Sequence, residues 1–350
     1  MAKILDGIRI IDFTQGHTGS YGTMLLADFG AEVIKIEDHN KGGDVMRASF
    51  PKNDKGSAYH AYMNRGKKSI CVDRNSAKGQ EVIMKLIADA DVVCDSFPDG
   101  DPTAHGTRMA DQFGGVYFAA AVVMALMARE ETGEGQQIDV ASADCMMTAL
   151  EDCLSEASLM GVTVHREGNG SRSIAPYDTF EVRDGIFSTA VSTNAQWKKF
   201  CEAMEMEELI DDPRYCDNEA RGENYYTEDG KTGLRDIIAE KFKDMTRQEI
   251  VDLLAPWNIP SGPGFTVQDA FENEQLGIRN MVLEIDDKSI GKIRMPGVPI
   301  KISGIDDCDI ASAPLLGEDT RELLKSIGYN ESEINDMSGE NIIMCERSDS

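Results

Sequence analysis

Apolar positions fall into short runs near the start of the chain. Ile8, Ile10 and Ile11 form one β-branched run closed by Asp12, and Val33, Ile34 and Ile36 form a second. Such runs suit parallel strands that are covered on both faces. Between them, Gly19 to Leu26 sets small and apolar residues at helical spacing, and Gly30 stands where a helix C-cap is expected. Strand, helix and strand make a βαβ unit. The alternation then repeats. A basic turn, Asn64-Arg65-Gly66-Lys67-Lys68-Ser69, leads into the strand Ile70-Cys71-Val72-Asp73. Val82, Ile83, Leu86 and Ile87 mark one face of a helix over 77–88, and Asp91-Val92-Val93-Cys94-Asp95 reads as the next strand. The fold class expected is α/β, a Rossmann-like parallel sheet, with ligands beyond the carboxyl ends of its strands.

The pattern changes in the second half. Alternating runs at 178–182 and 186–191 flank Arg183-Asp184-Gly185, a hairpin signal. Helical spacing follows over 194–206, 234–242 and 247–254, and a second hairpin is expected over 282–293 around Lys288. These elements predict a smaller α+β domain. The domains expected are 1–170 for the large α/β domain, 171–300 for the smaller one, and a C-terminal segment 301–350 with a helix over 320–327.

Composition narrows the partners. With 62 acidic against 35 basic residues the formal net charge is −27, so the chain repels phosphate backbones and anionic lipid. Neither nucleic acid nor a membrane surface is an expected partner. No run is expected to reach the ~18 apolar residues of a membrane span, and the N-terminus lacks a signal-like pattern, which makes the cytoplasm the expected location. The eight cysteines at 71, 94, 145, 153, 201, 216, 308 and 345 have no CxxC spacing, so reduced thiols are expected and no metal.

Several blocks carry a more specific signal. Leu5 to Glu37, Asn64 to Asp73 and Asp91 to Phe97 are followed by Thr132-Gly133-Glu134-Gly135-Gln136, Asp212-Pro213-Arg214-Tyr215, Asn258-Ile259-Pro260-Ser261-Gly262-Pro263 and Ala313-Pro314-Leu315-Leu316-Gly317-Glu318. In this order they resemble the class III CoA-transferases, the family of formyl-CoA transferase and carnitine CoA-transferase. The resemblance implies CoA as substrate, transfer between an acyl-CoA and a small carboxylic acid, a C-terminal segment returning to the large domain, and an interlocked homodimer. It also implies a set of CoA-binding positions. His17 and Thr18 correspond to residues near the thioester. Val72, Asp73, Arg74 and Asn75 match a segment lining adenine and ribose, and Ser96 and Phe97 replace an Asn-Phe pair. Asp38 stands where the family commonly has a basic residue that meets CoA phosphate; Lys41, Lys67 and Lys68 are candidates to compensate.

The chain also departs from the family. Between the Phe97 position and Asp99-Gly100 the family pattern has a further stretch with a strand, a turn contacting CoA and the nucleophilic aspartate; here Phe97-Pro98 runs straight into Asp99. CoA transfer between acids needs an enzyme carboxylate to attack the thioester and carry the acyl group. No residue here matches it, so the catalytic residue is unassigned, with Asp95, Asp99 and Asp101 the nearest carboxylates. Three readings stay open: a transferase, a non-catalytic paralogue that binds CoA or serves as partner subunit of a complete transferase, and a chain whose sheet cannot form. The expected sheet has a strand fewer than the family's, and residues 96–108 are expected to be an exposed loop.

Overall fold

The computed structural model describes residues 3–96, 109–161, 163–164, 169–171, 174–226, 233–304 and 310–345. Most of the expected 96–108 loop, with Phe97, Asp99 and Asp101, lies outside these residues. The chain packs as two units, one made of residues up to Ser155 together with Glu274 onward, the other of Glu156–Asn273.

The larger unit holds a five-stranded sheet. Strands β1 (Arg9–Asp12), β2 (Glu32–Glu37), β3 (Lys68–Val72) and β4 (Val92–Cys94) are parallel, in the order β3-β2-β1-β4. A C-terminal strand, Ile343–Met344, adds to β3 antiparallel. Successive residues point to opposite faces, so Ile10 and Val33 enter one core with Leu26 and Val122. Ile11, Ile34, Ile36 and Ile70 enter another with Val82, Leu86, Leu324 and Ile334. Helices on both faces are why the strands read as continuous apolar runs, each fully buried isoleucine contributing about 2 kcal/mol. The register staggers the strand ends. Asp12 is level with Lys35 and Cys94, and Lys35 with Ser69. β3 therefore runs three residues past that level, about 10 Å at ~3.3 Å per residue.

Four helices frame this sheet: α1 (Thr18–Asp28), α2 (Ala58–Met63), α3 (Ala77–Ala88) and α4 (Met109–Thr132). α3 starts where Ser76 Oγ accepts the Gly79 N–H at 2.9 Å. A side chain at Gly79 would put its Cβ 1.9 Å from the Asp73 carbonyl. α1 and α4 cross closely, because a Cβ on Gly22 would meet Phe118 at 2.3 Å and one on Gly115 would meet Tyr21 at 2.7 Å. By length and composition α4 is apolar enough to cross a membrane. That corrects the expectation that no run comes near such a length; its many Ala and Gly residues make the stretch read as a small-residue helix rather than an apolar one.

The C-terminal segment closes the edge of β3. Asp319 accepts the Ser69 N–H at 2.8 Å, Thr320 Oγ1 accepts the Cys71 N–H at 3.0 Å, and Ser69 Oγ accepts the Gly317 N–H at 3.0 Å. The hairpin Val282–Asp287 with Gly291–Pro296 also packs in this unit, Ile285 and Met295 clustering with Ala61 of α2. Residues 274–300 thus differ from the expected boundary, because the apolar side of the hairpin finds its cover on α2.

In the smaller unit, strands Tyr177–Val182 and Gly185–Ala190 pair with Val182 opposite Gly185, so Arg183 and Asp184 form the turn. Gly185 takes φ 147°, where a side chain would be strained. A short strand, Ser261–Pro263, extends the sheet. Helices Asn194–Ala203, Leu234–Phe242 and Arg247–Leu254 match the expected spans closely. Phe242 sits edge-on to Phe180, Phe187 and Phe200 at 5.4, 5.9 and 6.3 Å.

Candidate functional site

The loops after β1, β2, β3 and β4 all leave the same edge of the sheet, and a buried set of charges lies beneath them. Asp12, Lys35 and Lys67 are fully buried. Lys67 Nζ lies 3.1 Å from Asp12 and donates to Thr23 Oγ1, Asn64 Oδ1 and the Ser20 carbonyl. Lys35 lies 2.7 Å from Asp44 and donates to the Thr14 carbonyl at 2.8 Å. Burial alone would raise the Asp12 carboxyl. Lys35, Lys67 and two hydrogen bonds from Thr14 outweigh it and hold the group far below the usual carboxylate range. Burial pulls Lys67 down to about 8, against the pull of Asp12, so the pair is ionised at neutral pH. Neighbouring Glu37 is held at about 2: burial opposes ionisation, but Arg47 meets it with two hydrogen bonds and Ser69 with a third. Sequence reading missed this network. Its signal was there in a lysine set between Ile34 and Ile36 of a buried strand.

This network holds the loop after β1. Asp12 fixes Thr14, and Ser96, just beyond β4, accepts the Gln15 N–H at 2.9 Å while its hydroxyl donates to the Gln15 carbonyl at 3.3 Å. Gln15 in turn accepts the Val45 N–H at 3.4 Å. The loop ends at His17, whose ring meets Tyr59 of α2 edge-on at 5.2 Å. Thr18 opens α1, and its hydroxyl donates to Asp111 in the first turn of α4 at 2.7 Å. His17, Thr18 and Ser96 are thus brought into one loop cluster.

The other expected positions sit apart, at the far end of β3. Val72 is fully buried in the sheet core beneath the C-terminal strand, so it is not free to pack a base face. Asp73 is spent on its own turn, accepting the Asn75 N–H at 2.9 Å. Arg74 is half-buried and Asn75 exposed. Asp38 caps the short turn His39–Lys41, accepting the Asn40 N–H at 3.0 Å, and is 5% exposed. Lys67 serves the interior and Lys68 pairs with Glu32 at 2.8 Å, so neither compensates for a missing surface base. His60 of α2 is buried with Nε2 unpartnered among the described residues, and burial, with Arg47 nearby, drives its imidazole well below the usual range.

Known proteins share the sequence pattern and the fold. The profile of CoA-transferase family III matches residues 5–101 and again 96–320. A succinyl-CoA:mesaconate CoA-transferase from Haloarcula hispanica is 30% identical, over 93% of this chain and 96% of its own length. That alignment runs over 392 positions against 350 residues in this chain, so at least 42 positions face no residue here. The mouse succinyl-CoA:glutarate CoA-transferase is 27% identical over 95% of this chain and 88% of its own. A CAIB/BAIF family protein from Brucella suis shares the fold with a TM-score of 0.78 at 27% identity, over 93% of this chain and all of that one. The chain belongs to CoA-transferase family III.

Proposed function

We propose that this protein moves CoA between an acyl-CoA thioester of the succinyl kind and a small carboxylic acid, in the cytoplasm and without a metal. The observation that carries the reading is the family match along residues 5–320, supported by the meeting of His17, Thr18 and Ser96 at the carboxyl edge of the sheet. In this reading the thioester lies over that loop cluster. Arg74 and Asn75, in the turn beyond the end of β3, serve the nucleotide end of CoA. Val72 supports the turn from within the core and Asp73 shapes it. The exposed apolar residues of α4, among them Val116, Tyr117, Met124 and Met127, are the face that a second copy covers in a homodimer.

The test is direct. The protein is incubated with succinyl-CoA and a panel of small mono- and dicarboxylic acids, and new CoA thioesters are read by mass spectrometry. A new thioester with at least one acid is expected. Calorimetry should show CoA binding weakened about tenfold, roughly 1.4 kcal/mol, by Arg74→Ala.

A second reading rests on a separate observation. The family profile breaks at residues 96–101, and the aligned relative has positions opposite which this chain has none. Both support the absence of the family's nucleophile-bearing stretch, and with it a non-catalytic paralogue that works as partner of a complete transferase. CoA binding without any new thioester would favour this second reading.

A further inference from the structure

In the 156–273 unit, Asn169-Gly170 is the one place in the chain where an asparagine is followed by glycine. Glycine sets no Cβ beside its own nitrogen, which leaves that nitrogen open to the side chain before it. The fold leaves the pair open as well. Asn169 is exposed, its amide donating to Thr179 Oγ1 at 2.7 Å, and the Gly170 N–H has no acceptor among the described residues. Asn75-Ser76 is the contrast. Asn75 is exposed and followed by a small residue too, but the Ser76 N–H is taken by the Asp73 carbonyl at 3.3 Å and Ser76 caps α3. Around Gly170 the packing is tight. Asp178, beside Thr179, is buried and accepts from Arg235 Nε at 2.8 Å and from the hydroxyls of Tyr226 and Tyr225 at 3.2 and 3.3 Å. The Tyr226 hydroxyl so held stands 2.7 Å from where a Cβ on Gly170 would be.

We propose that Asn169-Gly170 is a site of spontaneous deamidation in the folded protein, and that its isoaspartyl product breaks the fit against Tyr226. The Gly170 nitrogen gives its proton to hydroxide and attacks Asn169 Cγ. A C–N bond forms and closes a succinimide ring, the bond from Cγ to Nδ2 breaks, and the leaving nitrogen takes a proton from water to depart as ammonia. Water then opens the ring at either carbonyl, giving aspartate or isoaspartate. One water is consumed, one ammonia is released, and no electrons are gained or lost. The two products meet the fold differently. A plain aspartate keeps the backbone, and the Thr179 hydroxyl turns to donate to it, since a hydroxyl serves in either direction. Isoaspartate routes the main chain through the side-chain carbon and lengthens it by one atom just before Gly170, where the Tyr226 hydroxyl leaves no room for the displaced residue.

The experiment holds the full chain in mildly alkaline buffer over days, once folded and once in urea. Amide loss is read on tryptic peptides, 167–172 for this site, and isoaspartate by methyl transfer from labelled S-adenosylmethionine with an isoaspartyl methyltransferase. In the folded protein Asn169 should react at least about tenfold faster than Asn75, because only the Gly170 nitrogen is both unhindered and unbonded. Urea should speed Asn75 and leave Asn169 nearly unchanged. Asn169→Gln should remove most of the methyl acceptance. A folded rate at Asn169 no faster than at Asn75, a rate at Asn169 that rises about tenfold or more in urea, or methyl acceptance that survives Asn169→Gln overturns the site. For the consequence, the denaturation midpoint of aged protein should fall in step with its isoaspartate content, while Asn169→Asp keeps the midpoint of the unaltered chain. A midpoint that ignores isoaspartate, or that falls as far in Asn169→Asp, overturns the role given to Tyr226.

Discussion

Beneath the carboxyl edge of the five-stranded sheet the buried groups are charged, Asp12 and Glu37 against Lys35, Lys67 and Arg47, whereas the 156–273 unit is filled by Phe180, Phe187, Trp197, Phe200 and Phe242. Ring packing is broad in geometry and rewards area. Ion pairs with their hydrogen bonds are directional, and taking charges out of water costs most of what their attraction returns. The charged interior therefore adds little to net stability compared with an apolar one of equal volume. It fixes where Thr14, Gln15 and the loop up to His17 stand, so the two interiors divide stability from positioning.

The largest effect should come from the aromatic side. Phe242→Ala removes a ring that meets three others, and urea denaturation should show a loss of about 4 kcal/mol. A loss below ~1 kcal/mol would mean that the core closes over the gap and the contrast is too sharply drawn. Next comes Lys67→Ala, which strands Asp12 with only Lys35 at 3.9 Å and should cost about 3 kcal/mol. If positioning is the network's main work, this variant should also lose CoA transfer at temperatures well below its melting point.

The smallest effect is one of pH. His60 has a folded pKa well below 6.5, because burial and nearby Arg47 disfavour the charged ring. As pH falls below 6.5 the unfolded chain takes up a proton that the folded one refuses, so stability falls by up to about 1.4 kcal/mol per pH unit until the folded pKa is reached. Denaturation midpoints from pH 7 to 5 should show this slope, and His60→Gln should flatten it. Glu37, held at about 2, adds stability that is present above ~4.5 and lost only under stronger acid, outside that window.

Much of the fold was legible because local pattern and tertiary cover agree. The helix over 77–88 could be read to the residue, since Ser76 caps it and Val82, Ile83 and Leu86 face the sheet. The strand Ile343–Met344 was not legible: two residues carry no period, and only β3 at the other end of the chain makes them a strand. The same pairing hid the fate of Val72, which reads as a surface strand end until its cover is known. Asp38 misled in a similar way. Read by charge alone it opposes phosphate, yet an aspartate at the head of a tight turn is used by the backbone next to it. His17, Thr18 and Ser96 came from the resemblance to the family; that they share one loop cluster follows from the alternation of strands and helices, which puts the turns after β1 and β4 at one edge of the sheet. The hydrogen bond from Thr18 to Asp111 was not legible, because it depends on how closely α1 and α4 cross.

The closing of β3 by Gly317, Asp319 and Thr320 bears on how the chain is made. Ser69 and Gly317 are 248 residues apart. At ~5–20 residues per second, a ribosome takes roughly 10–50 s between delivering the first and the second. For that time β3 has no cover on its outer side, and an uncovered strand edge invites pairing with other chains. A nascent chain stalled or cut shortly before Gly317 would hold a nearly complete sheet with one edge still open. Such truncated products should be cleared or lost to aggregation out of proportion to the little they lack.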